Sequence, residues 1–159
     1  MITCNFEDDR TANLRHAVVD AIIVQDNKIL LTKRAKQLRE GGKWAIPGGY
    51  IERDETTLEA VMREVLEETG YTCEVQQLLT VLDNPQRRGD DRQNISFVFT
   101  VRLITQVNTT PDEAEVSELR WFDLDNLPDQ TEMAFDHLEI VWEWIKQQDP
   151  ELAEPLDRI

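Results

Sequence analysis

The sequence is short of cysteine, of positive charge and of long apolar runs, and each shortage removes a class of protein. Two cysteines, Cys4 and Cys73, supply neither a metal-ligand spacing nor a disulfide framework. Unpaired thiols of this kind fit a reducing compartment, so a cytoplasmic location is expected. No apolar stretch approaches the roughly 18 residues that a membrane-spanning helix needs. The opening residues, MITCNFEDDR, have no basic segment followed by an apolar one, so no secretory signal is expected. Lys and Arg number 17 against 32 Asp and Glu, a formal net charge of −15. Such a surface repels nucleic acid and anionic lipid, and neither is expected as a partner. A small anionic substrate stays open, because a bound divalent ion inverts the local field.

What is present fits one domain over residues 1–159, with hydrophobic residues at 40% and no repeat or low-complexity segment. His16 to Gln25 is rich in β-branched residues and reads as a buried strand. Asp26-Asn27 is a tight-turn signal, after which Lys28 to Lys33 returns as a second strand. Gly41-Gly42 and Pro47-Gly48-Gly49 bracket a short apolar piece, Trp44-Ala45-Ile46. Good helix formers then run from Thr57 to Thr69. Thr56 with Glu59 makes a capping box at the start, and Gly70 suits the C-terminal stop. Cys73 to Asp83, Asn94 to Thr105 and Glu118 to Asp123 read as strands. A last helix is expected over about Glu132 to Gln148, with Phe135, Leu138, Trp142 and Ile145 at helical spacing and packed on the body. The tail, residues 149–159, reads as frayed. The order of strands, helix, strands, helix is a mixed α/β fold class.

The first helix carries the most informative pattern. On a wheel, Leu58, Val61, Met62, Val65 and Leu66 form one continuous arc. Glu64, Glu67 and Glu68 fall on another at i, i+3, i+4, so three carboxylates share a face and repel one another. The helix has no lysine, and its one arginine, Arg63, borders the acidic arc. Clustered carboxylates suit hard divalent cations, and magnesium in particular binds a few carboxylates together with substrate phosphates. From the helix alone, a metal site and a solvated acidic patch account for the pattern equally well.

The longer spacing separates the two. From Gly49, five residues lead to Glu55, and seven more to Arg63-Glu64. Val65, Leu66, Glu67-Glu68, Thr69, Gly70 and Tyr71 follow. This resembles the signature of the Nudix hydrolases, G-x5-E-x7-R-E-U-x-E-E-x-G-U, with U a bulky aliphatic residue. All seven fixed letters match, an event on the order of 10⁻⁷ per start position by chance. Tyr71, at the last aliphatic position, is the one departure. The resemblance implies an α/β/α sandwich with a mixed sheet and a catalytic helix after a Gly-rich loop. It implies Mg2+ as cofactor, with Mn2+ as a substitute, held by Glu64, Glu67, Glu68 and the carbonyl of Gly48. It implies that Arg63 and Glu55 orient those glutamates. The implied reaction is hydrolysis of the pyrophosphate linkage in a nucleoside diphosphate joined to another group. A homodimer is an expectation at family level only.

Substrate choice lies outside the signature. The segment Leu82 to Arg92 carries Arg87, Arg88 and Arg92, and Trp121 to His137 is similar to the C-terminal part of ADP-ribose pyrophosphatase-like members. ADP-ribose, cleaved to AMP and ribose 5-phosphate, is therefore the expected small-molecule substrate. A housecleaning nucleoside triphosphate pyrophosphatase is the alternative. A non-catalytic ADP-ribose sensor is a third reading; the intact glutamates and the lack of a DNA-binding segment speak against it. Arg34, Arg39, Arg87 and Arg92 are candidates to hold the substrate, and Phe135 is expected in the core. Glu113, Glu115 and Glu118 are candidate bases beside the motif glutamates; Glu64, Glu67, Arg63 and Glu115 form the expected catalytic set. His16 is expected to be structural.

Overall fold

The computed structural model describes residues 2–88, 93–107 and 112–148. The chain begins with a separate hairpin, β1 (Ile2–Asn5) and β2 (Thr11–Leu14), in which Ile2 pairs with Leu14 and Asn5 with Thr11. Nothing in the hydrophobic pattern of residues 2–14 announces this hairpin, because its apolar residues are too few to set a period of two.

The β-branched run becomes the central strand, β3 (Ala17–Gln25), and turns into β4 (Lys28–Arg34). Asp26 and Asn27 both sit at left-handed φ, 50° and 59°. Two consecutive positive φ values are what a two-residue hairpin turn requires, and Asp and Asn tolerate them. Two short strands follow, β5 (Trp44–Ala45) and β6 (Gly48–Tyr50), and then α1 (Thr57–Thr69). The long strands β7 (Tyr71–Leu82) and β8 (Ile95–Gln106) pair antiparallel, and β9 (Val116–Asp123) and α2 (His137–Gln148) complete the chain.

The main sheet runs β5-β4-β3-β8-β7, with β6 on β3 and β9 on β4. It is mixed: β3 is parallel to β8 and antiparallel to β4 and β6. The strand β3 changes partner along its length. Val18, Val19 and Asp20 pair with β6, whereas Val24 and Gln25 pair with β4. The sheet therefore opens between β6 and β4.

Alternation along the strands divides the core in two. Val19, Ala21 and Ile23 of β3 join Phe99 and Val101 of β8 against Ala60, Val61 and Val65 of α1. Ile22, Ile29, Leu31 and Val98 face the other way and pack with Leu138, Ile140 and Val141 of α2. This is the expected α/β/α arrangement. Among the described residues, no helix is long and apolar enough to cross a membrane.

Three local expectations are corrected. The last helix starts at His137, not near Glu132. Residues 132–134 instead lie along β5: the Trp44 amide donates to the Glu132 carbonyl, and the Ala134 amide to the Trp44 carbonyl. Met133 is buried there, and Phe135 takes a left-handed φ of 52°, which a helix cannot continue through. Trp142 is 46% exposed, and Ile140 and Val141 fill the core in its place. On α1 the buried arc is rotated from the purely apolar one. Leu58 and Met62 are exposed, while Glu64 and Glu68 are buried beside Ala60, Val61 and Val65.

Candidate active site

Helix α1 is fixed at both ends by its own sequence. The Thr56 hydroxyl accepts from the Glu59 amide, and the Glu59 carboxylate accepts from the Thr56 amide. Gly70 closes the helix at φ 74° and donates to the Leu66 carbonyl. The rigid helix then presents its acids to the opening between β6 and β4.

Arg63 organises the exposed half of this face. Its Nε and Nη2 donate to the two Glu55 oxygens at 3.1 and 2.8 Å, and Nη2 also to the Tyr50 carbonyl at 2.9 Å. Nη1 donates to Glu64 at 2.9 Å and to Glu67 at 3.0 Å. One guanidinium thus holds three carboxylates and the end of β6. The guanidinium, together with the Glu52 amide, holds the Glu55 carboxyl below its ordinary range, and Glu55 in return fixes Arg63.

The other half lies deeper in the fold. Glu64 is 7% exposed and Glu68 is 9% exposed. Burial raises both carboxyls above the ordinary range, and that of Glu68 is pushed up to about 8, with the Glu64 charge adding to the effect. Among the described residues, Glu68 accepts hydrogen bonds from the Gly48 amide at 3.2 Å and the Thr32 hydroxyl at 3.4 Å, and the Arg34 charge acts on it. A buried carboxylate so placed needs either a proton or a cation. Among the described residues, no three acidic, imidazole or thiol side chains are by themselves arranged to hold a metal ion. Glu67, held with Glu64 by the same Arg63 nitrogen, is the more exposed of the two. An open oxygen-donor site of this type fits magnesium, which keeps waters and takes phosphate oxygens.

Gly49 is required by this packing. A Cβ there would stand 2.3 Å from Glu64 Oε1. Gly49→Ala is expected to displace Glu64 and to weaken Mn2+ binding about 10-fold or more, with the helix content unchanged. Calorimetric titration checks this, and wild-type affinity would remove Glu64 from the ion site.

These groups line a cleft of about 450 Å³. Glu115, from the turn before β9, also lines it, and its charge acts to raise both Glu64 and Glu68. Glu113 does not line it, and Glu118 pairs with Arg120 and Lys33. Of the candidate arginines, Arg34, Arg39 and Arg87 line the cleft. Arg34 donates to the Arg39 carbonyl at 2.9 Å and lies over the Phe135 ring, 5.0 Å from its centroid. Arg87 is bound through two hydrogen bonds, 2.7 and 2.8 Å, to Asp136. Arg92 lies outside the described residues. Phe135 lines the cleft rather than the core, because it precedes α2 instead of belonging to it. His16 precedes β3 and packs on Tyr50, with the ring centroids 5.1 Å apart.

Asp20 and His137 are among the cleft residues that the sequence did not single out. Asp20 accepts from the Ser96 hydroxyl, and the Ile46 amide donates to His137 Nδ1 at 3.1 Å. Burial holds the imidazole below its ordinary range. The available signal was one acid inside the apolar run AVVDAIIV, where a buried charge needs a reason.

Comparison with known proteins agrees with this geometry. Residues 14–144 match the model of the NUDIX domain. An ADP-ribose pyrophosphatase of Methanocaldococcus jannaschii is 44% identical over 129 residues, covering 80% of this chain and 72% of that protein. An 8-oxo-dGDP phosphatase of Homo sapiens is 33% identical over 118 residues, covering 73% of this chain and 34% of the human protein. This chain thus spans about a third of the length of the human protein. Among solved structures, the NUDIX domain of Shewanella oneidensis NrtR in complex with ADP ribose superposes with a TM-score of 0.68 at 26% identity, over 86% of this chain and 90% of that one.

Proposed function

The chain belongs to the NUDIX family of pyrophosphate-bond hydrolases, and from that premise we propose that its substrate is ADP-ribose, cleaved to AMP and ribose 5-phosphate. The observation that carries the substrate is the 44% identity to a protein named ADP-ribose pyrophosphatase over most of both chains. The ADP-ribose complex of the NrtR domain supports the same ligand class.

In this reading Glu64, Glu67, Glu68 and the Gly48 carbonyl hold Mg2+, with Mn2+ as a substitute. The burial of Glu64, already paired with Arg63, and of Glu68 is the support for it. The ion, when bound, offsets phosphate charge and lowers the pKa of coordinated water. Arg63 and Glu55 keep the carboxylates in place. Arg34 and Arg39 face the diphosphate, and the Arg87–Asp136 pair stiffens the cleft wall. Glu115 takes the proton of the attacking water; the support is its place in the cleft and its electrostatic reach to both buried acids. Water then adds to phosphorus, the bridging P–O bond breaks, and the leaving phosphate carries off the electron pair. The free thiols Cys4 and Cys73 fit a cytoplasmic site of action.

A panel of ADP-ribose, other nucleotide sugars, dinucleotides, nucleoside triphosphates and 8-oxo-dGDP, each with Mg2+ and Mn2+, tests the proposal. The highest kcat/KM is expected for ADP-ribose, with AMP and ribose 5-phosphate as products. A preference for 8-oxo-dGDP or a triphosphate would assign the housecleaning role. Tight ADP-ribose binding without turnover of any substrate would assign a sensor.

A further inference from the structure

Asp20 and His137 are buried polar groups in the cleft that the hydrolysis does not use. They come from different elements and meet because of the fold. Asp20 lies on the face of β3 shared with Ile22, which packs toward α2, and His137 is the first residue of α2.

Their hydrogen bonds define what each has left to offer. His137 Nδ1 accepts the Ile46 amide, so the imidazole is the neutral tautomer with its proton on Nε2. Asp20 Oδ2 is taken by the Ser96 hydroxyl. Asp20 Oδ1 and His137 Nε2 are 3.9 Å apart, beyond hydrogen-bond length. An acceptor and a donor therefore stand side by side, close but not bonded to each other. The Phe135 ring lies against His137, with centroids 5.4 Å apart, and adds a flat apolar wall.

We propose that Asp20 and His137 form a nucleobase subsite that reads adenine by its amino edge, Asp20 Oδ1 accepting from the exocyclic amine and His137 Nε2 donating to the adjacent ring nitrogen. This deepens the substrate reading above and rests on it for the choice of adenine. The alternating donor and acceptor of that edge match the alternating acceptor and donor of the pair. The geometry also explains the acid in the apolar strand. A Val at position 20 would fill the strand equally well but would leave the amine of a bound base unpaired, and an unpaired buried polar group weakens binding by 10- to 100-fold.

Ligand analogues test this on the unaltered protein. The dissociation constants of AMP, N6,N6-dimethyl-AMP and 1-deaza-AMP are measured by calorimetry with Mg2+ present. The dimethyl compound has lost the donors and the deaza compound the acceptor, so each is expected to bind about 10- to 100-fold more weakly than AMP. Equal affinities, or no binding of AMP, would overturn the subsite. The Asp20→Val variant, which fills the strand but has no acceptor, adds a readout that a merely structural role would not move. Its ratio of dimethyl-AMP to AMP affinity should collapse toward one, whereas a structural defect would weaken both ligands alike and leave the ratio as in the wild type. Turnover of ADP-ribose is a separate result. Without it the substrate assignment falls, while an ordered analogue series still establishes the subsite.

Discussion

Glu68→Gln is expected to lower kcat by more than about 100-fold while the fold persists, since even residues that only support metal ligands contribute 10- to 100-fold. Gln keeps the shape and accepts the Gly48 amide, but brings no charge to a divalent ion. The same substitution should change the pH dependence of stability in the metal-free protein. The folded Glu68 carboxyl titrates at about 8, against 4.5 for the ordinary group. The folded state therefore holds a proton that the unfolded state has released between those values. Its stabilising effect is complete below about 4.5 and is lost as the pH rises through 8. The metal-free wild type should melt at progressively lower temperature across this window, and Mg2+ should restore it. Glu68→Gln should flatten the trend and bring the metal-free protein above the wild type at pH 8 and higher. Calorimetric scans in EDTA and in Mg2+ read both effects. Wild-type turnover, or an unaltered pH trend, would show that Glu68 carries neither the ion nor the strain of burial.

Arg63→Lys should lower kcat by about 10- to 100-fold and weaken Mn2+ binding with it. An ammonium is a point charge and cannot reproduce the planar fork that spans Glu55, Glu64, Glu67 and the Tyr50 carbonyl. Glu64 and Glu67 would then repel each other on the helix face, and Glu55 would lose its paired donors. KM for the substrate should change less than kcat, because the defect lies in the placement of the acids proposed to bind the ion. A change confined to KM would instead place Arg63 on the substrate. Together the two variants separate the role proposed for Glu68 from the role proposed for Arg63.

The corrections in the fold have a common physical origin. Residues 132–136 lie at good helical spacing with those that follow, yet Met133 gains more by burial beside Trp44 than by extending α2. Such long-range pairing overrides local propensity. The exposure of Leu58 and Met62 has the same cause. A wheel identifies two arcs but not which part of each the sheet will cover, and here the covered part takes in Glu64 and Glu68. That rotation takes Glu64 and Glu68 out of solvent and raises both carboxyls.

By itself the sequence determined the central strands, the Asp-Asn turn, both ends of α1 and the G-x5-E-x7-R-E-U-x-E-E-x-G spacing. These features depend on neighbours a few residues away, through turn geometry, capping and side-chain period, so they are legible locally. Only the tertiary structure decided the burial of Glu64 and Glu68, the engagement of Arg87 by Asp136, the place of Phe135 in the cleft and the meeting of Asp20 with His137. Asp20 and His137 are 117 positions apart in sequence, by subtraction of their numbers. Contacts at that separation are fixed by how the sheet packs against the helices, not by any local pattern.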